Sequence, residues 1–242
     1  CAEAAEVLSK TGRLSITVDP SGGSGGGLAA LGDGLADVAM SSKPVSDKER
    51  SKYPAVKFHE TAIGLDAVAL VVSRPVSDGG VKSLDRDQIR AIFEGRAASW
   101  KEVGGPDASV FVFDKEPGRG TREVFDHCVY GKDKPPLVSV GGNEETRTKV
   151  AAHASAISQL SATWVKGEAR IAALAIRMPD GRTVDATEAA VRDGSYPMAR
   201  KLFLVTNGPP AGDAKVLVDF VLSPAGQTIV ERHGYLPIDP KK

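Results

Sequence analysis

The sequence has little cysteine and no pattern of metal ligands. Its 242 residues include only two cysteines, Cys1 and Cys128, and contain neither a Cys-x-x-Cys pair nor a histidine and cysteine cluster with metal-ligand spacing. We therefore expect no metal site and no fold held together by disulfides. Of the two states open to Cys128, a disulfide with Cys1 and a buried free thiol, the sequence favours the free thiol.

The sequence also lacks an excess of charge and a long apolar run. The 31 basic side chains balance 31 acidic ones without a basic cluster, which argues against a nucleic-acid-binding protein. The longest apolar runs, such as Ala67 to Val72, have the length of a strand, so no membrane-spanning segment is predicted. A hydrophobic content of 41% is enough for one large domain or two lobes with cores.

Helix and strand patterns alternate along the chain, which predicts an α/β protein. The predicted helices lie at residues 1–11, 24–32, 84–93, 122–129, within 144–156, 186–192, 214–222 and 224–232. The predicted strands lie at residues 14–18, 36–40, 56–61, 67–73, 110–113, 163–165, 171–174 and 201–206.

Two glycine-rich turns come directly before helical segments. The first spans residues 21–27, and the second spans residues 116–121 ahead of a helix from about Arg122. The first turn of a helix leaves backbone N–H groups without partners, and glycine lets an anion approach them closely. A plain capped helix with Thr121 as N-cap explains the second turn equally well. Two such helix starts in one chain favour two halves of one oxyanion site.

Six segments, in order, resemble the phosphate-binding proteins of bacterial ABC transporters. They are Gly23–Gly27, Ala36–Val45, Arg90–Gly95 with Trp100, Gly118–Arg122, Gly194–Pro197 and Phe220–Gln227. The resemblance covers nearly the whole chain and implies a type II periplasmic-binding-protein fold with two lobes, each a mixed sheet flanked by helices. It implies that residues 1–72 with 201–242 form one lobe and that residues 73–200 form the other, with helix N-termini holding one phosphate ion.

The resemblance also implies which residues bind the ligand. They are Ser24, Gly25, Gly26 and Ser42 in the first lobe, and Lys115, Arg119, Gly120, Thr121 and Arg122 in the second. Ser42 stands where some members carry an aspartate that accepts a proton from phosphate. A hydroxyl cannot repel a fully ionised oxyanion as a carboxylate does, so we expect weaker selection of phosphate over sulfate.

The three basic residues of the predicted site in the second lobe have different expected roles. Lys115 falls where family members often place an arginine. Arg119 replaces the serine of the usual Ser-Gly-Thr turn, and it either pairs with the anion from a shifted position or points to solvent. Arg122 matches the arginine of a frequent Gly-Thr-Arg variant and is the better candidate for direct charge pairing.

The start of the sequence differs from the family pattern. Family members begin with a strand and a loop rich in Gly, Ser and Thr, followed by a helix that resembles Cys1 to Lys10. The resemblance thus implies that the first strand is absent from this sequence through truncation or processing, is supplied by another chain, or has been replaced by a rearranged lobe. A lipid anchor at Cys1 is disfavoured, because the residues after it have a helical pattern rather than that of a flexible tether.

The resemblance implies partners and a location as well. The ligand is expected to be inorganic phosphate or another tetrahedral oxyanion, and the partner an ABC permease, with no cofactor and no nucleic acid. The expected location is extracytoplasmic, in the periplasm or at the cell surface, although the sequence contains no signal segment.

Two other functions remain open from the residues alone. A serine hydrolase would use Ser24 with one of the four histidines, which are His59, His127, His153 and His233. However, the turn around Ser24 matches the nucleophile-elbow pattern only through its run of glycines, and no histidine lies in a recognisable motif, so we predict a protein that is not an enzyme. A second alternative keeps the fold but gives it a sensory or assembly role without transport.

Overall fold

The computed structural model describes residues 1–10, 12, 14–130 and 139–238. The chain divides into two compact units: unit 1 comprises Cys1–Leu65 and Lys201–Lys242, and unit 2 comprises Asp66–Arg200. Both passages of the chain from one unit to the other fall inside strands, because the boundaries lie within the strands Phe58–Ser73 and Ala199–Asn207.

Helices and strands alternate along the described residues. The helices are α1 (Ala2–Lys10), α2 (Gly23–Gly32), α3 (Asp47–Lys52), α4 (Arg74–Asp78), α5 (Arg86–Phe93), α6 (Gly120–Val129), α7 (Asn143–Ala152), α8 (Glu188–Arg192), α9 (Gly212–Leu222) and α10 (Pro224–Arg232). The strands are β1 (Ala39–Ser41), β2 (Phe58–Ser73), β3 (Ser83–Asp85), β4 (Phe111–Val112), β5 (Asp114–Lys115), β6 (Ser139–Val140), β7 (Ala156–Ser161), β8 (Ile171–Arg177), β9 (Thr183–Val184) and β10 (Ala199–Asn207). Short 3-10 helices lie at Trp100–Val103 and Ala162–Trp164.

Unit 1 has helices on both faces of its strands. β1 pairs antiparallel with β10, with Ala39 opposite Val205, and β10 is in turn a neighbour of β2. Successive residues of a strand face opposite sides. Leu204 accordingly packs with residues of α1 and α9, such as Leu8, whereas Val205 packs with residues of α2, such as Leu28.

Helix α2 forms although half of its ten residues are glycine, which is a poor helix former. Packing therefore has to supply the stability that propensity does not. Leu28 and Leu31 are buried, and a Cβ at Gly27 would lie only 3.4 Å from the Met40 carbonyl oxygen. The absence of a side chain at Gly27 thus lets α2 lie close against β1, which positions the residues at the end of that strand.

Unit 2 has a mixed arrangement of strands. The second half of β2 is buried and pairs antiparallel with both β7 and β8, with Leu70 opposite Gln159 on one side and Leu174 on the other. β4 runs parallel to β7, and β3 runs parallel to β8, which also pairs antiparallel with β9. β5 and β6 form a separate parallel pair. A core cluster comprises Ala69, Val71, Phe113, Val140, Val150, Ala156, Leu160 and Ile171.

The α/β prediction is confirmed, but two of the predicted strands, at residues 14–18 and 163–165, are wrong. The predicted strands 67–73 and, from Phe58 onward, 56–61 are parts of one continuous strand, β2. Residues 14–18 form no strand in the part of the chain that the structure describes; Leu14 and Ile16 pack instead as half-buried side chains against the α1 and α9 cluster. Residues 162–164 form a 3-10 helix where a strand was expected.

Both cysteines are free thiols, so the alternative of a Cys1–Cys128 disulfide is wrong. Cys128 is half-buried rather than buried, and this burial raises the pKa of its thiol. No cluster of three or more potential metal ligands occurs among the described residues. Across the same residues, no helix combines the length and apolar character needed to cross a membrane.

Candidate anion-binding site

The first group of predicted site residues lies in unit 1, where α2 starts beside the end of β1. Ser24 is the second residue of α2 and is buried. Its Oγ lies 3.2 Å from the Oγ of Ser42 and accepts a hydrogen bond of 3.0 Å from the Ser42 backbone N–H. The structure therefore brings two predicted residues into direct contact, although they lie 18 positions apart in the sequence.

Gly25 and Gly26 follow Ser24 in the first turn of α2. The Gly26 N–H donates to the Gly22 carbonyl at 3.0 Å and so belongs to the helical hydrogen-bond pattern. The Gly25 N–H has no acceptor among the described residues, and Gly22, as N-cap, adds no side-chain cap. Gly25 thus offers a backbone donor at the helix start. Gly26 offers open space, because a Cβ there would meet no atom within 4 Å.

Residues on either side of Ser42 fix the turn that carries it. The Ser41 hydroxyl donates to the Lys43 carbonyl at 2.7 Å, and the Nζ of Lys43, which is buried, lies 2.7 Å from a carboxylate oxygen of Glu49. Glu49 also belongs to the capping box with Ser46 at the start of α3. The charge of Lys43 is therefore balanced within unit 1, and its role is to hold the turn.

The second group of predicted site residues lies in unit 2 at the start of α6. Gly118 has a left-handed conformation, with a φ of 83°, which turns the chain between β5 and the helix. The N-cap is Arg119, not Thr121, and its side chain makes no capping hydrogen bond. The backbone N–H groups of Gly120, Thr121 and Arg122 have no acceptor within the described part of the chain. The helix start thus offers three backbone donors to a ligand.

Thr121 adds a hydroxyl to these donors. Its side chain is buried, and its Oγ1 accepts a hydrogen bond of 3.1 Å from Nη1 of Arg200. The same guanidinium is ion-paired with the buried carboxylate of Asp66. Thr121 is therefore held by the ion pair of Arg200 with Asp66, which the sequence does not predict.

The ammonium of Lys115 is directed at protein groups. Its Nζ donates to the carbonyl oxygens of Gly141 at 3.4 Å and Gly142 at 2.9 Å, and to the hydroxyl of Thr146. An ammonium has three N–H donors, so these contacts account for all of them. Lys115 thereby joins β5 to the start of α7.

The electrostatic surroundings of Lys115 disfavour its charged form. Burial is the largest cause, followed by the positive charges of Arg119 and Arg200, and together they lower the pKa of Lys115 to about 7. The carboxylates of Glu145 and Glu116 act in the opposite direction and do not cancel this effect. A bound anion would favour the protonated form, because it would offset the repulsion by the two arginines.

Arg119 and Arg122 also have protein partners. Arg119 donates through Nε and Nη2 to one carboxylate oxygen of Glu116, at 3.1 and 3.0 Å. Arg122 donates to the Lys115 carbonyl at 2.8 Å and to the Asp126 carboxylate at 3.2 Å. Arg122 therefore stabilises the turn between β5 and α6, and Arg119 is held by the residue three positions before it.

The structure thus brings the predicted residues together as two groups, one in each unit. Ser24, Gly25, Gly26 and Ser42 surround the start of α2, whereas Lys115, Arg119, Gly120, Thr121 and Arg122 surround the start of α6. Hydroxyls and backbone N–H groups at both starts are suited to bind the oxygens of an anion. The hydrogen bonds of Ser24 run to Ser42 rather than to a histidine, so the described residues do not form the dyad of a serine hydrolase.

Asp66 and Arg200 are the residues near the predicted site that sequence reasoning missed. Each directly precedes an apolar run that was predicted as a strand, and the two lie 134 positions apart. A charged residue next to a buried strand is a signal for an ion pair, because buried charges are rarely left unpaired. The sequence alone does not say which two charges meet.

This chain is similar in sequence to known proteins. The model of the PBP superfamily domain matches residues 3–225. The phosphate-binding protein PstS of Staphylococcus aureus (strain USA300) is 26% identical over 227 residues, which span 90% of this chain and 68% of that protein.

Solved structures share the fold. A Clostridium perfringens protein, described as a phosphate ABC transporter substrate-binding protein with bound phosphate, has a TM-score of 0.84 and 27% identity over 98% of this chain and 93% of that one. An ABC-type phosphate transport receptor from Vibrio cholerae has a TM-score of 0.76 and 22% identity over 98% of this chain and 94% of that one. The predicted fold is therefore confirmed. The prediction of a protein that is not an enzyme is confirmed as well, since these relatives are binding proteins.

Proposed function

The chain belongs to the PBP superfamily, and from this premise we propose that it captures inorganic phosphate outside the cytoplasm for an ABC importer. The phosphate-binding protein of Staphylococcus aureus and the phosphate-bound protein of Clostridium perfringens support this function. The ABC permease as partner, and a periplasmic or cell-surface location, belong to the same proposal. Because these relatives are named for phosphate binding and transport, a sensory or assembly role is not favoured.

The observation that carries the proposal is the start of α6. Three backbone N–H groups and the hydroxyl of Thr121 lie together there, and the N-cap side chain of Arg119 does not use them. A helix N-terminus without a side-chain cap is suited to an anion with several acceptor oxygens. The start of α2, with Ser24, Gly25 and Ser42, has the same chemistry. We propose these two groups as the ligands of the phosphate oxygens.

The charged side chains have a secondary role in this proposal. The cations of the α6 group have hydrogen bonds to carboxylates or carbonyls of the protein, so their positive charge is already partly balanced. Binding then depends mainly on hydrogen bonds from neutral donors, which select for geometry and for acceptor oxygens. The division into two lobes, residues 1–72 with 201–242 and residues 73–200, remains part of the proposal.

Titration calorimetry of phosphate and of sulfate into the purified chain tests the ligand. We expect phosphate to bind, and we expect sulfate to compete, because Ser42 provides a hydroxyl where a carboxylate would repel a fully ionised anion. Heats indistinguishable from dilution for phosphate would contradict the proposed function. Tighter binding of sulfate than of phosphate would contradict the assignment of the ligand.

The double substitution Ser24→Ala and Thr121→Ala tests the site. We expect it to abolish phosphate binding, because each hydrogen bond to a charged group contributes about 1.5–3 kcal/mol and one is lost at each helix start. The matched control replaces Ser51 and Thr148 by Ala, since both are exposed helical hydroxyls in the same two units. Circular dichroism checks that all variants fold. Unchanged phosphate affinity in the folded double variant would contradict the site assignment.

A further inference from the structure

Arg200 is the second residue of β10 and points its guanidinium into the interior of unit 2. Its Nε and Nη2 both donate to Oδ2 of Asp66, at 3.0 and 2.6 Å. The two residues thus form an ion pair with two hydrogen bonds, and both side chains are buried. The planar fork of an arginine fixes the orientation of such a pair. Its remaining terminal nitrogen, Nη1, is thereby aimed at Oγ1 of Thr121, 3.1 Å away.

The carboxylate of Asp66 is itself held in place. Its Oδ1 accepts a hydrogen bond of 2.9 Å from the hydroxyl of Ser161, a fully buried residue of β7. The Ser161 Oγ also lies 3.0 Å from the hydroxyl of Thr163. Asp66 therefore has a partner on each oxygen, so the direction in which Arg200 points is set by β2, β7 and β10 together.

This contact determines what the hydroxyl of Thr121 does. A guanidinium is a donor only, so Oγ1 must be the acceptor toward Arg200. The hydroxyl hydrogen must then point away from Arg200. Thr121 makes no second hydrogen bond with any described residue, including the backbone bond to the preceding turn that helical threonines often make. Its O–H is therefore left as an oriented donor at the start of α6.

From this geometry, and building on the proposed function, we infer that Arg200 is a positioning residue that makes Thr121 a donor to an unprotonated oxygen of the bound anion. Arg200 acts through Thr121 rather than as a ligand of the anion, since its guanidinium is held by Asp66 and donates to Oγ1 of Thr121. A neutral hydroxyl that accepts from a cation is polarised and donates more strongly, as in other hydrogen-bonded chains.

A double-substitution cycle on phosphate affinity tests the inference. The variants are Thr121→Val, which keeps the shape and removes the hydroxyl, Arg200→Lys, which keeps the charge and removes the fork, and the two together. The exposed ion pair of Arg182 with Asp180 provides the control Arg182→Lys. Calorimetry with inorganic phosphate gives each affinity, and thermal melting checks that each variant folds.

We expect Thr121→Val to weaken phosphate binding by roughly 10- to 100-fold, which is the loss of one hydrogen bond to a charged group. Arg200→Lys should weaken it by about tenfold, since the hydroxyl is then no longer oriented. In the Thr121→Val background, Arg200→Lys should change the affinity by less than about twofold, because a residue that acts through Thr121 has no effect without it. Arg182→Lys should leave the affinity unchanged.

Additive losses in the cycle, or an unchanged affinity in Arg200→Lys, would overturn the inference while leaving phosphate binding established. A wild-type protein that binds no phosphate would overturn the proposed function and the inference with it. If Arg200→Lys does not fold, Asp66→Asn replaces it in the same cycle, since it loosens the hold on Arg200 without changing side-chain shape. The same lack of additivity with Thr121→Val is then expected.

Discussion

At the residue scale, the buried cations of this protein are matched by groups of the protein itself. Lys43 lies against Glu49, Arg200 against Asp66, and Lys115 against two carbonyls and a hydroxyl. Lys115 differs from the other two because none of its hydrogen-bond acceptors is a carboxylate. A neutral acceptor compensates a buried charge less well than a carboxylate does, which is why its pKa falls so far.

The pH dependence of stability should reveal Lys115. Its pKa in the folded protein is about 7, below the ordinary value of 10.5. Between these values the unfolded chain holds a proton that the folded chain has released, so the free energy of unfolding rises with pH across this window, and the cost of burying the charge is fully present below it. We expect urea unfolding to show the wild type gaining stability relative to Lys115→Met from pH 7 to pH 10.

The matched control for that experiment is Lys48→Met, because Lys48 is exposed on α3. Its stability difference from the wild type should stay constant over the same range of pH. A constant difference for Lys115→Met as well would show that Lys115 does not titrate near neutrality. A wild type that loses stability relative to Lys115→Met as the pH rises would contradict the sign of the pKa shift.

At the scale of elements, helix starts divide into those capped by a side chain and those that are not. Ser46, Asp85, Thr187 and Ser223 cap α3, α5, α8 and α10. Helices α2, α4, α6, α7 and α9 start without a side-chain cap. A cap side chain accepts from one of the unpaired N–H groups of the helix start, while an uncapped start keeps that donor for another acceptor. Among the five uncapped starts, those of α2 and α6 carry the predicted site residues.

The cap of α5 gives a prediction at this scale. Asp85 accepts from the Gln88 N–H at 2.9 Å, and Gln88 in turn accepts from the Asp85 N–H at 3.1 Å. Asp85→Ala removes this box and should lower the free energy of unfolding by about 1 kcal/mol. Asp85→Asn should cost little, because asparagine caps as well as aspartate does. Denaturant unfolding followed by the fluorescence of buried Trp100 provides the measurement.

The variant Asp85→Asn separates the effect of the helix cap on stability from the effect of the Asp85 charge. Asp85 also lies 3.5 Å from Arg177, in a pair that is partly exposed to solvent. Equal losses of stability in Asp85→Ala and Asp85→Asn would assign the effect to that ion pair rather than to the cap.

At the scale of the whole molecule, each unit has its own buried clusters, and two strands carry the chain between them. The free energy of unfolding of the whole chain also depends on ligand binding, because a ligand that binds only the folded protein stabilises it. The gain is about 2.7 kcal/mol when the free ligand is at a hundred times its dissociation constant. The proposed function therefore predicts a response of the folded state itself to phosphate.

Thermal melting measures that response. Phosphate should raise the melting temperature of the wild type in proportion to the logarithm of its concentration once it exceeds the dissociation constant. The variant with Ser24→Ala and Thr121→Ala should show no such rise. Sodium chloride at matched ionic strength controls for general salt effects. The same rise in the variant would mean that phosphate stabilises the protein at some other place.

The sequence by itself determined the fold class, because alternating apolar periodicities act within a few residues and need no distant partner. Helices α9 and α10 were predicted close to their observed bounds for this reason, since Ser223 and Pro224 mark their junction locally. The order of motifs also suggested the family and the two groups of site residues. Local pattern failed where neighbours in space decide, as at residues 14–18, where an apolar run packs without pairing as a strand.

Only the tertiary structure decided the partners of charged and hydroxyl groups. The pairing of Asp66 with Arg200, and of Lys115 with the start of α7, joins residues that many positions separate. Such contacts depend on which strands become neighbours, and no short-range pattern encodes that. The local sequence therefore supplies hydrogen-bond donors at the starts of α2 and α6. The folded chain determines which donors are oriented or left available for an anion, and which charged side chains are paired within the protein.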